Sequence, residues 1–257
     1  MMKGLLIKDL YCLKKQIRFF IYVTLGVIYV SSLFVLSSRY GNAALMFSDE
    51  AVADNADIMM KFMYELIIVL TMFIPIALGE RVTECFTADY KASFGKVYFN
   101  LPVDDYRKVL SRYIMSLIYI FMGMLGSFAA GCILAAFMDD FTALMAIRVV
   151  FTLTAVMIMF MSVVLCVNYF VGGKYSNLVT GTLFMVIAVP LYAVFAYRLQ
   201  TSDDDMLNAF TVKLVEWFDF YIKNADIQIF IMAAGAFLLM AVSYLLSVKA
   251  QRRERKV

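Results

Sequence analysis

Apolar runs of about twenty residues or more, separated by short polar connections, recur from Ile17 to Val248. A hydrocarbon layer about 30 Å thick takes roughly 20 apolar residues to cross as a helix. Inside that layer every backbone N–H and C=O must find its partner within the protein. The runs lack the ten-residue inside-outside alternation of a barrel strand, so helices are the solution. The expected fold is all-α integral membrane. With 63% hydrophobic and 17% charged residues, the chain is too apolar to give a soluble domain a wettable surface.

Read in order, the runs place six transmembrane helices at about 17–36, 58–79, 109–137, 142–171, 178–197 and 227–248, within a single domain over 1–257. Ahead of them, residues 2–16 read as an N-terminal interfacial helix. Met2, Leu5, Leu6, Leu10, Leu13 and Ile17 share one face, and Lys3, Lys8, Asp9, Lys14 and Lys15 occupy the remainder. A basic amphipathic helix of this kind lies in the membrane surface, in contact with lipid. It does not read as a secretory signal, because the apolar run that follows has no small-residue cleavage site.

The second span carries Pro75 near its inner end, where a missing N–H is expected to kink it. Between the second and third spans lies the longest polar excursion of the first half, Glu80 to Lys108. Its charges are of both signs, with Arg81, Lys91, Lys96, Arg107 and Lys108 against Glu80, Glu84, Asp89, Asp104 and Asp105. A mixed surface suits a partner protein better than lipid or nucleic acid. Glu84 to Phe94 contains no helix breaker and reads as a short helix, ended by Gly95 and the Leu101-Pro102 pair.

In the third span Gly123, Ser127 and Gly131 recur every four residues, with Gly126 and Ala130 beside them. Such a small-residue stripe lets another helix approach closely, within the chain or across a dimer. Arg148, early in the fourth span, either snorkels outward or pairs with Asp139 and Asp140. Between the fifth and sixth spans Leu207, Phe210, Leu214, Trp217, Phe218 and Tyr221 fall at helical spacing. They predict an outer amphipathic helix, with the sole tryptophan at the membrane interface.

Several chemistries are disfavoured. The chain has 0 histidines, which removes the commonest metal ligand and the commonest general base. Its 4 cysteines, Cys12, Cys85, Cys132 and Cys166, are far apart and suggest neither a disulfide framework nor a metal cluster. The stretch from Asn168 to Ser176 resembles a phosphate-binding loop, but Asn168 stands where glycine is required and Tyr175 where serine or threonine is required. No catalytic, cofactor-binding or metal-ligating residue is therefore expected.

Orientation follows from charge. With the amino terminus inside, 17 of the 23 basic residues fall on the inner side, against 7 of the 20 acidic ones. Positive charge is retained in the cytosol, so both termini and the Glu80–Lys108 loop are expected there.

Four features together resemble the ABC transporter type-2 permease family: the opening from Met2 to Gln16, the six spans, the inner helix leading into Leu101–Tyr113, and the outer amphipathic segment. Within that family the chain resembles the short bacterial permeases that export antimicrobial or cytolytic peptides, among them the phenol-soluble modulin exporters. Members commonly carry Leu-Pro-Val-Ser-Arg and then Lys-Tyr. Leu101, Pro102 and Val103 match, whereas Asp104-Asp105 and Arg112-Tyr113 depart from the pattern.

The resemblance implies a non-enzymatic transport subunit in a bacterial plasma membrane, with ATP and Mg on a separate ABC ATP-binding subunit. It implies a second permease chain, identical or paralogous, and an exported peptide or amphiphile as cargo. It also makes the inner helix a cytosolic coupling helix, with Glu80, Arg81, Glu84, Phe86, Asp89, Tyr90, Lys91 and Phe94 docking on the ATPase. The competing readings are an ATP-independent immunity or scaffold protein using the same loop, and an intramembrane enzyme.

Overall fold

The structure, a computed structural model, describes residues 2–39, 56–92, 104–138, 141–176, 178–186, 189, 212–213, 216 and 225–254. Phe94, the Leu101–Val103 motif, Asp139, Asp140, most of the expected fifth span and the Trp217 segment lie outside the described residues.

Helix α1 spans Met2–Cys12 and α2 spans Lys14–Arg39, with a turn at Leu13 between them. Helix α3, Ala56–Ala77, passes directly into a six-residue 3-10 segment, Leu78–Thr83, and that into α4, Glu84–Lys91. The residues at both joins, Ala77 and Glu84, keep right-handed helical backbone. Tyr64–Lys91 is thus one apolar helical stretch of 28 residues, and the short inner helix expected in the loop is the continuation of the second span.

Helix α5, Asp105–Phe137, has 33 residues and starts four positions before the expected Val109. At 1.5 Å per residue it is roughly 50 Å long and must project past a bilayer core. Helix α6 covers Ala143–Val171. The Thr142 hydroxyl caps it by accepting from Met145 N–H at 3.3 Å. Gly172 ends it at φ 83°, a left-handed conformation that glycine adopts without steric cost. A 3-10 turn, Gly173–Tyr175, leads to a helical stretch at 178–186, and α7 closes the described chain at Ala225–Glu254.

Among the described residues five stretches are long and apolar enough to cross a membrane: Lys14–Ser37, Tyr64–Lys91, Asp105–Phe137, Ala143–Val171 and Asp226–Arg252. They answer to five of the six expected spans.

Helix α5 is the hub of the bundle, touching α1, α2, α3, α6 and α7, and α7 packs mainly along α6. Met72 and Ile76 of α3, Val109, Met115 and Leu134 of α5, and Ala146, Met161 and Leu165 of α6 form the buried centre. Outward, α2 shows Tyr22, Leu25, Tyr29 and Val30, and α7 shows Ile227, Phe230, Phe237 and Leu238. Apolar side chains exposed on spanning helices are what a membrane solvates.

The small-residue stripe sets the tightest approach. A Cβ on Gly123 would lie 2.5 Å from the Pro75 carbonyl oxygen and 2.8 Å from Ile76 Cα, so only glycine permits this contact. Ser127 Oγ donates to the Met72 carbonyl at 2.5 Å. A Cβ on Gly131 would meet Met72 Cε at 2.6 Å and Ala146 Cβ at 2.9 Å. The stripe therefore seats α3 and α6 against α5 within one chain.

Candidate functional site

The bundle end that carries α1 concentrates the charged side chains. Arg112, one turn beyond Lys108 on α5, is 3% exposed, and Asp9 of α1 is 1% exposed. Arg112 Nη1 stands 3.4 Å from Asp9 Oδ1, while its Nη2 donates to Asp89 Oδ2 of α4. Lys8 Nζ donates to both Asp89 oxygens, at 2.8 and 2.9 Å, and lies 3.3 Å from Asp9. Two cations and two carboxylates thus join α1, α4 and α5 in a closed cluster.

Arg112 also extends the cluster to a fourth element. Its guanidinium lies 5.1 Å from the centre of the Phe86 ring, and Phe86 meets Tyr169 of α6 edge-on at 5.1 Å. Guanidinium over an aromatic face is favourable by about 0.5–2 kcal/mol, more as water is excluded. The planar guanidinium fork serves two carboxylates through separate nitrogens while its face lies on a ring, a geometry a compact ammonium does not reproduce.

Burial dominates the electrostatics of Asp9. Desolvation raises its pKa above the ordinary 3.8, opposed by the nearby positive charges of Arg112 and Lys8 and reinforced by Asp89. Desolvated ion pairs are costly to assemble and costlier to break on one side.

The rest of α4 is tied in the same way. Glu84 accepts from Arg81 Nη1 at 2.7 Å and from the Gln16 amide of α2, and Arg81 lies 5.6 Å from the Phe19 ring centre. Ser176 Oγ, completely buried after the 3-10 turn, donates to the Thr83 carbonyl at 3.2 Å. Of the eight residues expected to dock a partner, Glu84, Phe86 and Asp89 make contacts inside the chain, whereas Tyr90 (54% exposed) and Lys91 face outward. Glu80 and Arg81 are half-buried, and Phe94 lies outside the described residues.

The interfacial helix also differs in detail. Leu5, Asp9 and Leu13, spaced by four, turn toward the protein, and Ile7, Leu10 and Tyr11 are exposed. Lys3, Lys14 and Lys15 are exposed as expected, while Lys8 is drawn inward to Asp89. Asp9 and Arg112 are the cluster residues sequence reasoning missed. The only signal for Asp9 is a carboxylate at the i+4 position between Leu5 and Leu13.

Residues 55–251 match a protein family described as ABC-2 family transporter protein. The chain belongs to this ABC-2 family. No curated protein and no solved structure is matched. Membership makes this ABC-2 protein a multi-pass membrane subunit of an ABC transporter, with a partner ABC ATPase implied by the family.

Farther along the bundle, a polar knot fastens the last helix of the ABC-2 protein. The Tyr113 hydroxyl of α5 pairs with Ser243 at 2.5 Å and Ser247 at 2.9 Å, both on α7, and Ser243 Oγ donates to the Ser162 carbonyl of α6 at 2.5 Å. Arg148 of α6 does not reach toward lipid alone: it pairs with Asp226 at the start of α7, at 3.1 and 3.0 Å. No spacing in the sequence predicts that pairing, because the partners are 78 residues apart.

Proposed function

We propose that this chain is the membrane subunit of an ATP-driven exporter of amphipathic or antimicrobial peptides in a bacterial plasma membrane. Both termini are cytoplasmic, and two permease chains, identical or paralogous, pair with two ATPase chains. The segment from Glu80 to Phe94 docks on the ATPase, with Tyr90 and Lys91 presenting the outward surface of α4.

The observation that carries this reading is the cluster at Arg112. A push on α4 is passed at once to α1 through Asp89 and Lys8, to α5 through Arg112, and to α6 through Phe86 and Tyr169. Buried opposite charges are costly to pull apart, so the four elements move together instead of the docking helix bending alone. Its unbroken run into α3 adds a mechanical link to the second span. Nucleotide binding on the partner thereby changes access to a path between the spans.

The test uses the full chain with the ABC ATPase that copurifies in mild detergent. Tyr90→Ala with Lys91→Glu is expected to lower ATPase capture about tenfold, which corresponds to about 1.4 kcal/mol. Arg112→Gln, read on the fraction that keeps the wild-type size-exclusion profile, is expected to retain capture while ATP-driven peptide movement into inverted vesicles drops. Undiminished ATP-coupled transport after replacing 80–94 with a Gly-Ser linker would sink the proposal.

A further inference from the structure

A cavity of about 370 Å³ opens between Glu80, Arg81 and Glu84 on one wall and Thr180, Gly181 and Phe184 on the other. Its charges are not balanced. Arg81 and Glu84 neutralise one another at 2.7 Å. Glu80 is half-buried and feels the Arg81 charge, but among the described residues its carboxylate makes no hydrogen bond or ion pair. Thr83 and Thr180, the hydroxyls nearest that wall, are already donating to the carbonyls of Glu80 and Ser176.

Beyond Thr180 the opposite wall is apolar and roomy. A Cβ on Gly181 would meet nothing within 4 Å, and the Phe184 ring is 57% exposed along the same side. A carboxylate partly removed from water is costly to leave unpaired, and a counter-cation relieves that cost. A cavity in the 300–1,000 Å³ range with one fixed charge and an apolar wall is the usual make-up of a small-ligand site.

We infer that this cavity binds an ammonium-type cation on an apolar body, the cation at Glu80 and the apolar part along Gly181 and Phe184. Calling the occupant a cargo rests on the transport reading above; its binding does not. The same chemistry is offered by a basic amphipathic peptide and by the ethanolamine headgroup of a phospholipid, and the experiment separates them.

The purified full chain in nonionic detergent, without any ATPase, is photolabelled with a diazirine-bearing dodecylammonium, and the adducts are mapped by mass spectrometry. Labelling is expected to be saturable, to fall in 80–84 and 178–186, to be competed by dodecyltrimethylammonium and to resist dodecyl sulfate. Glu80→Gln is expected to weaken it tenfold or more, the loss of a charge-assisted contact. Gly181→Leu fills the open side while leaving the carboxylate, and is expected to weaken it comparably; each variant is checked by its size-exclusion profile.

Competition by phosphatidylethanolamine but not by a basic amphipathic peptide assigns the cation to lipid, and the reverse assigns it to cargo. Labelling unchanged in both variants, or equally competed by the neutral dodecyl maltoside, overturns the inference. Because no nucleotide enters the measurement, failure here leaves the ATPase-coupling test untouched.

Discussion

Arg112 concentrates the consequences of a single side chain. Arg112→Gln leaves Asp9 buried beside Lys8 alone, and is expected to destabilise the chain by about 3–5 kcal/mol, the usual cost of breaking one side of a buried pair. Asp9→Asn combined with Arg112→Gln should cost less than the two single changes added, since the orphaned carboxylate is removed. Thermal unfolding of the four proteins in one detergent reads the difference. Asp9 also gives a signed pH dependence. Its folded pKa is raised by burial, so the fold favours the protonated form. The stability it contributes is complete below its ordinary 3.8 and is lost as pH climbs through the raised folded value. The wild-type midpoint should therefore fall relative to that of Asp9→Asn across that window, and a constant gap would contradict the assignment. Composition signalled neither residue: Asp9 reads as part of a polar face, and Arg112 as one more inner-side charge.

At the scale of elements, the contact of α5 with α3 depends on the absence of side chain at Gly123. Gly123→Ala puts a methyl against the Pro75 carbonyl, which belongs to backbone and cannot swing aside. The helices must separate, at a cost of about 1–3 kcal/mol for overpacking. Gly26→Ala on α2, where a Cβ meets nothing within 4 Å, should be neutral or stabilising by up to about 1 kcal/mol. Ser127→Ala removes the hydrogen bond to Met72 and should cost about 0.6 kcal/mol, the average for such bonds between membrane helices, and at most about 1.7 kcal/mol. Equal midpoints for the Gly123 and Gly26 variants would mean that this interface is looser than described. The stripe was legible in sequence because its period is that of a helix, and the run of apolar residues had already declared the helix. Its partner was not, since nothing in a four-residue repeat says whether Pro75 or a second chain lies opposite.

For the whole molecule, the expected orientation places Lys15 and Lys91 on one side of the membrane. Lys15→Cys and Lys91→Cys, each in a background lacking Cys12, Cys85, Cys132 and Cys166, should react with an impermeant maleimide in inside-out vesicles and resist it in intact cells. Reaction at Lys91→Cys from the exterior would invert the topology and remove the basis for ATPase docking. Five of the expected spans, their helical nature and the small-residue seam were legible in sequence alone, because the bilayer's thickness and the need to satisfy backbone groups leave one solution for runs of this length. Which charges meet is a different matter. Lys8 finds Asp89 across 81 residues, and Arg148 finds Asp226 across 78. No local spacing encodes such pairs. They exist because α5 holds the other helices around it, so that Asp9, Asp89 and Arg112 arrive in one water-poor place, where each charge needs the others.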